Sequence, residues 1–383
     1  MTSTRKRIML FGYRPPPYFG PSVTYQALMR SEFPRRFDVT FININVVESI
    51  GGLEKFRLAK LLKLVRFLVA ELFYLLTRRF DYCCYPISFN RNAFLKDALL
   101  LRLPRWFGVP TVLYAHGNNL PDFYAKSSPR LQRFVDRTIA RADAAIVMGE
   151  NLRFNFERWL PPERIFVVGS GIEPAPALPT VGKLEDGLTV LYLGNLIREK
   201  GVFVLLEAIP KVLAKRNNVQ FVFAGEWWRE PDRLEAEQLI RQNGIGGNVR
   251  FAGVVTGDAK SRLLATADVL AFPTHYFYEA HPLVLLEAMQ AGLPVVTTRR
   301  AAIPEIIQDG INGFLVREQD PSDLTTRLLQ LLDDQALRER IGQANRQRFR
   351  DFYSHERYGE RMIRVFEELS ARGAVPERSS RHA

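Results

Sequence analysis

Short apolar runs alternate with helical patterns along almost the whole chain, the rhythm of strand–helix units that build parallel sheets. In the first half these runs predict strands at Arg7–Tyr13, Asp38–Ile44, Tyr82–Ile87, Thr111–Tyr114, Ala144–Val147 and Arg164–Val168. Helices such as Arg91–Trp106 and Pro129–Ala142 fall between them. A proline-rich stretch, Glu173-Pro-Ala-Pro-Ala-Leu-Pro-Thr-Val-Gly, interrupts the rhythm and suits a linker. The pattern restarts at Leu188–Leu193 and continues through Val219–Ala224, Val249–Phe251, Val269–Phe272, Val295–Thr298 and Phe314–Val316. The expected architecture is α/β, with two Rossmann-like doubly wound domains at 1–175 and 176–355. A segment at 356–383 holds a last helix, about His355 to Ser370, and a polar tail from about Ala371 that is expected to fray. Two such sheets suggest a ligand cleft between them, at the C-terminal ends of the strands.

One helical pattern stands apart. From Leu53 to Leu76, a wheel gathers Leu58, Leu61, Val65, Leu68, Val69, Leu72 and Leu76 on one side. Lys55, Lys63 and Arg66 gather on the other, and Arg78 and Arg79 follow. Such a helix can lie among the headgroups of an anionic membrane. It can equally cover a Rossmann sheet, apolar face inward and charged face outward. Composition bears on the choice. The chain has 383 residues and is 47% hydrophobic, enough for two sizeable cores. Its net charge of +12 implies acidic partners and tips the reading toward lipid. The two cysteines, Cys83 and Cys84, are adjacent, which fits a reducing compartment. The N-terminal MTSTRKRIMLFGYRPPP has too short an apolar run for a secretory signal. The longest apolar runs fall short of the ~20 residues that span a bilayer. The expected location is cytoplasmic, and peripheral on the inner face of the membrane if the helix takes the lipid reading.

The chemistry concentrates between Pro273 and Val316, PTHYFYEAHPLVLLEAMQAGLPVVTTRRAAIPEIIQDGINGFLV. Glu279 ends an aromatic loop, and Pro282 suits the first position of a helix, where its missing N–H costs nothing. That helix runs through Leu283, Leu286 and Met289 and stops at Gly292, with Pro294 just beyond. Glu279 therefore stands before a helix N-terminus, and Glu287 one to two turns inside. Free N–H groups and the helix dipole make that terminus an anion site. A carboxylate beside an anion site suits a ligand with both phosphate and hydroxyls, as in a nucleotide sugar. A surface helix with two solvated glutamates is the alternative.

Further candidates lie at strand ends. In Leu191-Tyr-Leu-Gly-Asn-Leu-Ile-Arg-Glu-Lys-Gly201, Gly194 lets the backbone turn and Lys200 lies near a helix N-terminus. A cation and free N–H groups there can hold a diphosphate, unless this is an ordinary turn with exposed charges. His116, in Ala115-His-Gly117, follows an apolar strand and is placed to face the cleft, or else is structural. Trp227-Trp228 and His275-Tyr-Phe-Tyr278 are stacking platforms or core. Gly169-Ser-Gly171-Ile-Glu-Pro174 lacks the third glycine of a dinucleotide fingerprint, which argues against a nicotinamide enzyme. No paired Cys/His metal spacing occurs.

The Pro273–Val316 segment resembles the signature of the family 4 retaining glycosyltransferases, the glycosyl transferases group 1. The resemblance rests on Glu279, Pro282, Leu286-Glu287-Ala288-Met289, Gly292-Leu293-Pro294-Val295-Val296, Pro304-Glu305-Ile306-Ile307, Asp309-Gly310 and Asn312-Gly313, in that order. The family's GRLxxxKG pattern is matched by Gly194, Lys200 and Gly201, with Asn195 where the arginine is expected and Arg198 as a substitute. Its strand-end HG is matched at His116, and its N-terminal glycine loop by Gly20 and Ser22. The family's glycine after the first glutamate is Ala280, and its Gly-Gly before PEII is Ala301-Ala302.

The resemblance implies a GT-B fold, the two domains facing across a cleft, acceptor held by the first and nucleotide sugar by the second. It also implies that the last helix crosses back onto the first domain. The implied activity is transfer of a sugar from a nucleoside-diphosphate sugar to an acceptor hydroxyl, retaining, metal-independent and without cofactor. Glu287 would bind the ribose, Lys200 the leaving diphosphate, Glu279 the sugar, and His116 would orient it. Pro282 and Leu283 would line the donor site. The acceptor would be a saccharide or a lipid-linked molecule in cell-surface polysaccharide or glycolipid assembly, with no nucleic-acid partner. Two other readings are a non-catalytic nucleotide-sugar-binding scaffold, suggested by Asn195 and Ala280, and a GT-B-fold sugar epimerase.

Overall fold

Short, mostly apolar runs of three to six residues form two six-stranded parallel sheets in a computed structural model that describes residues 5–45, 57–175 and 187–372. The first sheet comprises β1 (Arg7–Gly12), β2 (Asp38–Asn43), β3 (Tyr82–Ile87), β4 (Thr111–Ala115), β5 (Ala144–Val147) and β6 (Ile165–Val167). Its order is β2-β1-β3-β4-β5-β6. The second comprises β7 (Leu188–Leu193), β8 (Val219–Ala224), β9 (Val249–Gly253), β10 (Val269–Phe272), β11 (Val295–Thr298) and β12 (Gly313–Val316), ordered β12-β11-β10-β7-β8-β9. Central strands are covered on both faces, so they read as continuous apolar runs rather than as alternation. Ile8 to Phe11, Tyr82 to Tyr85 and Val269 to Phe272 are all buried.

In each sheet the chain winds outward one way and then returns to the other side of the first strand. The reversal falls between β1 and β3 in the first sheet and between β7 and β10 in the second. Ligands of open α/β sheets bind beyond the strand C-termini at such reversals.

The chain divides into two compact units, Met1–Ile172 with His355–Ala383, and Glu173–Ser354. The helices that matter below are α1 (Gly20–Arg30), α2 (Arg57–Thr77), α3 (Arg91–Leu100), α4 (Arg102–Trp106), α5 (Val202–Leu213), α6 (Gly257–Thr266), α7 (Leu283–Ala291) and α8 (His355–Ala371). The last helix packs into the first unit. Phe366 sits 5.8 Å from Phe33, 5.8 Å from Phe37 and 5.5 Å from Tyr82, ring centre to ring centre. The Tyr358 and Tyr114 hydroxyls are hydrogen-bonded at 3.1 Å.

Two details differ from expectation. The single helix expected over Arg91–Trp106 is two, ending at Leu100 and restarting at Arg102. Pro104 is the physical reason: it has no N–H to return to Leu100, and its ring crowds that carbonyl. Pro282 caps its helix from just outside instead of occupying the first helical position. Helix α2 buries Leu75 and Glu71, while Val65, Val69, Leu72 and Leu76 of its predicted apolar side are exposed. Leu53 and Lys55, the side chains of Leu58 and Leu61, the linker at 176–186 and the tail at 373–383 lie outside the described residues.

Glu71 is fully buried on α2, and neither carboxylate oxygen has a hydrogen-bond partner among the described residues. Burial pushes its pKa up to about 9, so the group is held as the neutral acid.

Candidate functional site

The reversal in the second sheet brings the loop after β7 against the loop after β10. The first loop runs from Gly194, at φ 142°, through a short turn at Arg198–Lys200 to Gly201, which caps α5 at φ 86°. Gly201 has to be glycine. A Cβ there would lie 2.2 Å from the carbonyl oxygen of Pro273, in the loop after β10. A second tie joins the same loops: the His275 amide donates to the Glu199 carbonyl at 2.7 Å.

This contact carries Lys200 to Glu279. The ammonium lies 3.5 Å from a Glu279 carboxylate oxygen, both side chains being mostly buried. It also sits over the Tyr276 ring at 5.4 Å and the Phe272 ring at 5.9 Å, which further favours the charge. Burial, then the Glu279 charge, raises the Tyr276 hydroxyl pKa. The Tyr192 hydroxyl, beneath the first loop, lies 3.2 Å from the Asn195 carbonyl and 3.3 Å from that of Lys200. Lys200 and Glu279 therefore meet where two helices begin. Neither α5 nor α7 has a capping side chain at its N-terminus.

Glu287, one turn into α7, bonds Lys260 of α6 at 2.8 Å. Sequence reasoning missed Lys260, which lies in no motif and reaches Glu287 only through the packing of α6 on α7. Tyr192 was missed too, because a strand tyrosine reads as core. Asn195 is exposed on its loop. Arg198, the expected substitute on the diphosphate, is engaged elsewhere: Asp232 at 3.3 Å, Glu235, and the face of Phe203 at 3.8 Å. Trp227 packs on Phe251 at 5.5 Å, whereas Trp228 is exposed. Two departures from the family signature touch each other. The Ala302 amide donates to the Ala280 carbonyl at 3.1 Å, and Ala301 holds φ 47°, a conformation glycine adopts more easily.

In the first unit His116 follows β4. Its ring lies 4.2 Å from that of Tyr114 and 5.4 Å from that of Tyr25, and Nε2 is 3.3 Å from the Tyr25 hydroxyl. The residue is half-buried, and desolvation lowers its pKa to about 3, so the imidazole is neutral. Nδ1 has no hydrogen-bond partner among the described residues. Gly20 opens α1 and a side chain there would meet nothing within 4 Å. Ser22 serves that helix's own entry, accepting from the Phe19 amide at 3.0 Å.

The loop after β7 and the loop and helix after β10, which carry Lys200, Glu279 and Glu287, all fall within a match to a known family. The model described as Glycosyl transferases group 1 matches residues 178–348. The second unit belongs to the glycosyl transferases group 1. The phosphatidyl-myo-inositol mannosyltransferase of Mycobacterium leprae is 34% identical to this chain over 205 residues, 53% of this chain and 52% of that protein. The chain spans about half the length of the first curated relatives it matches. Among solved structures, sucrose-phosphate synthase from Thermosynechococcus elongatus aligns with TM-score 0.73 at 18% identity, over 96% of this chain and 100% of that one. Anabaena HepE, solved with UDP and glucose, aligns with TM-score 0.71 at 16% identity, over 95% and 100%. These likenesses extend through both units and show the fold, two Rossmann-like units of GT-B type.

Proposed function

We propose that this chain is a retaining, metal-independent glycosyltransferase that moves a sugar from a nucleoside-diphosphate sugar to an acceptor hydroxyl. The observation that carries the reading is the meeting of Lys200 and Glu279 at 3.5 Å, each a few residues ahead of its helix, α5 and α7, at the sheet reversal. The ammonium and the free N–H groups of α5 favour the charge that builds on the diphosphate as the anomeric carbon–oxygen bond breaks. Glu287 takes the ribose hydroxyls and Glu279 the sugar. His116, neutral, orients the sugar as a hydrogen-bonding group and not as a charge. The acceptor oxygen bonds to the same face of the anomeric carbon, and the departing phosphate takes its proton. HepE, solved with UDP and glucose, supports a nucleoside-diphosphate hexose as the donor class. The acceptor in this reading is a saccharide or lipid-linked molecule in polysaccharide or glycolipid assembly, met at the cytoplasmic face of a membrane.

A second reading draws on Asn195 and on the engagement of Arg198 by Asp232 and Glu235, which leave Lys200 as the cation on the diphosphate side. It is a nucleotide-sugar binder without transfer activity. A melting-temperature panel with UDP, GDP, ADP and their sugars tests the first step, because a ligand that binds only the native state raises Tm. The expected result is a rise with one base. No rise with any of them removes the donor assignment. Product formation from the stabilising donor then separates enzyme from binder.

A further inference from the structure

Helix α2 packs on α3 and α4 and turns Glu71 and Leu75 inward. Its opposite side is also apolar. Leu62, Val65, Val69, Leu72, Phe73 and Leu76 are all exposed, Val69 at 61% and Phe73 at 60%. At 100° per residue these six fall within a single arc of about 100°, an unbroken stripe along the helix. The stripe does not end with α2. Leu76, Phe107 and Val109 line one hollow of 600 Å³, and Trp106, beside Phe107, is 88% exposed. An indole left in water is costly to explain within a lone soluble domain and ordinary at a membrane–water interface.

The rim is cationic. Arg66 flanks the stripe, and Arg78 and Arg79 line the same hollow as Leu76 and Phe107. Among the described residues none of these three guanidinium groups has an ion-pair partner. From Arg57 to Val109 the chain carries ten Lys and Arg against three Asp and Glu. Glu71 and Asp97 of those three are fully buried, and Asp81 accepts from the Arg7 amide. A second copy seated face to face would set these arginines against each other. An anionic lipid surface neutralises them while the apolar stripe enters the acyl boundary.

We propose that the outer stripe of α2, with Trp106 and Phe107 beside it, is the docking surface of this protein on anionic bilayers, the hollow edged by Arg78 and Arg79 receiving lipid phosphate. This rests on the membrane-proximal part of the proposed function and on nothing in the donor site.

Flotation with vesicles of phosphatidylcholine containing about one-third phosphatidylglycerol, at low salt, tests it. Wild-type protein floats with these vesicles and not with phosphatidylcholine alone. The double variant Val69→Glu/Phe73→Glu, and separately Trp106→Ser, lower the bound fraction about tenfold or more. Arg78→Glu/Arg79→Glu lowers it by a similar factor and weakens its salt dependence. All these positions are exposed, and circular dichroism melting confirms that each variant folds. Wild-type protein that ignores anionic vesicles overturns the proposal, as does equal flotation with neutral ones or flotation unchanged in the variants. So does a lipid-free dimer that Phe73→Glu dissociates, which would assign the face to a second copy. A nucleotide that raises Tm equally in wild type and variants keeps the donor reading intact whichever way the vesicles answer.

Discussion

At Lys200 one ammonium answers to a carboxylate, two ring faces and a helix N-terminus, and a diphosphate arriving there would draw on the same positive charge. Lys200→Ala and Glu287→Ala are each expected to weaken nucleotide binding by about 1.5–3 kcal/mol, the cost of losing a charged partner. Titration calorimetry that finds unchanged affinity in both folded variants removes the assignment. His116→Ala is expected to lower kcat while the donor KM stays near wild type, since the role proposed for it is at the sugar. Turnover equal to wild type at saturating substrates contradicts that. The neutral imidazole has a pH consequence as well. Its folded pKa of about 3 lies below the ordinary 6.5, so the unfolded chain binds the extra proton between them. Its share of stability is present above pH 6.5 and drains as pH falls toward 3. Glu279, Glu287 and Lys200 could be picked out in the sequence because local words carry them: a turn, a helix start, a stop. Lys260 could not, because its bond to Glu287 spans two helices and follows from packing alone.

Among the elements, the strands were readable to within a residue or two, since each is a short, mostly apolar run bounded by turn residues. Helix α2 was not. A wheel finds its polar flank but cannot say which apolar side meets the sheet when nearly every side is apolar, and the inward side proved to hold Glu71. That glutamate supplies a test of the element. Its folded pKa of about 9 exceeds the ordinary 4.5, so the folded chain holds the extra proton and stability falls as pH rises through this interval. Glu71→Gln is expected to remove that fall, and Glu71→Leu to stabilise by about 1–3 kcal/mol at neutral pH. Melting temperatures on either side of neutrality check both, and a pH slope unchanged in Glu71→Gln would show the group to be solvated. The join between the loops after β7 and β10 is sensitive in another way. Gly201→Ala forces a left-handed residue and a 2.2 Å approach to Pro273, costing at least about 1–3 kcal/mol. It should also displace Lys200, so nucleotide affinity is expected to fall with Tm.

For the molecule as a whole, one unit is continuous in sequence and the other is not. Residues Glu173–Ser354 carry a complete six-stranded sheet with its own helices, and this fragment is expected to melt cooperatively by itself. Residues 1–172 expressed without α8 leave Phe33, Phe37 and Tyr82 without Phe366, and are expected to bind hydrophobic dyes or precipitate. A soluble, cooperatively folded 1–172 fragment would show α8 to be an accessory. The interruption also sets an order in time. A ribosome delivers the first sheet early, yet the helix that closes it emerges only after the entire second unit has been translated, roughly 10–40 s later at ordinary elongation rates. During that interval the aromatic seat for Phe366 is open on a nascent chain, a target for chaperones and proteases that the finished protein no longer offers.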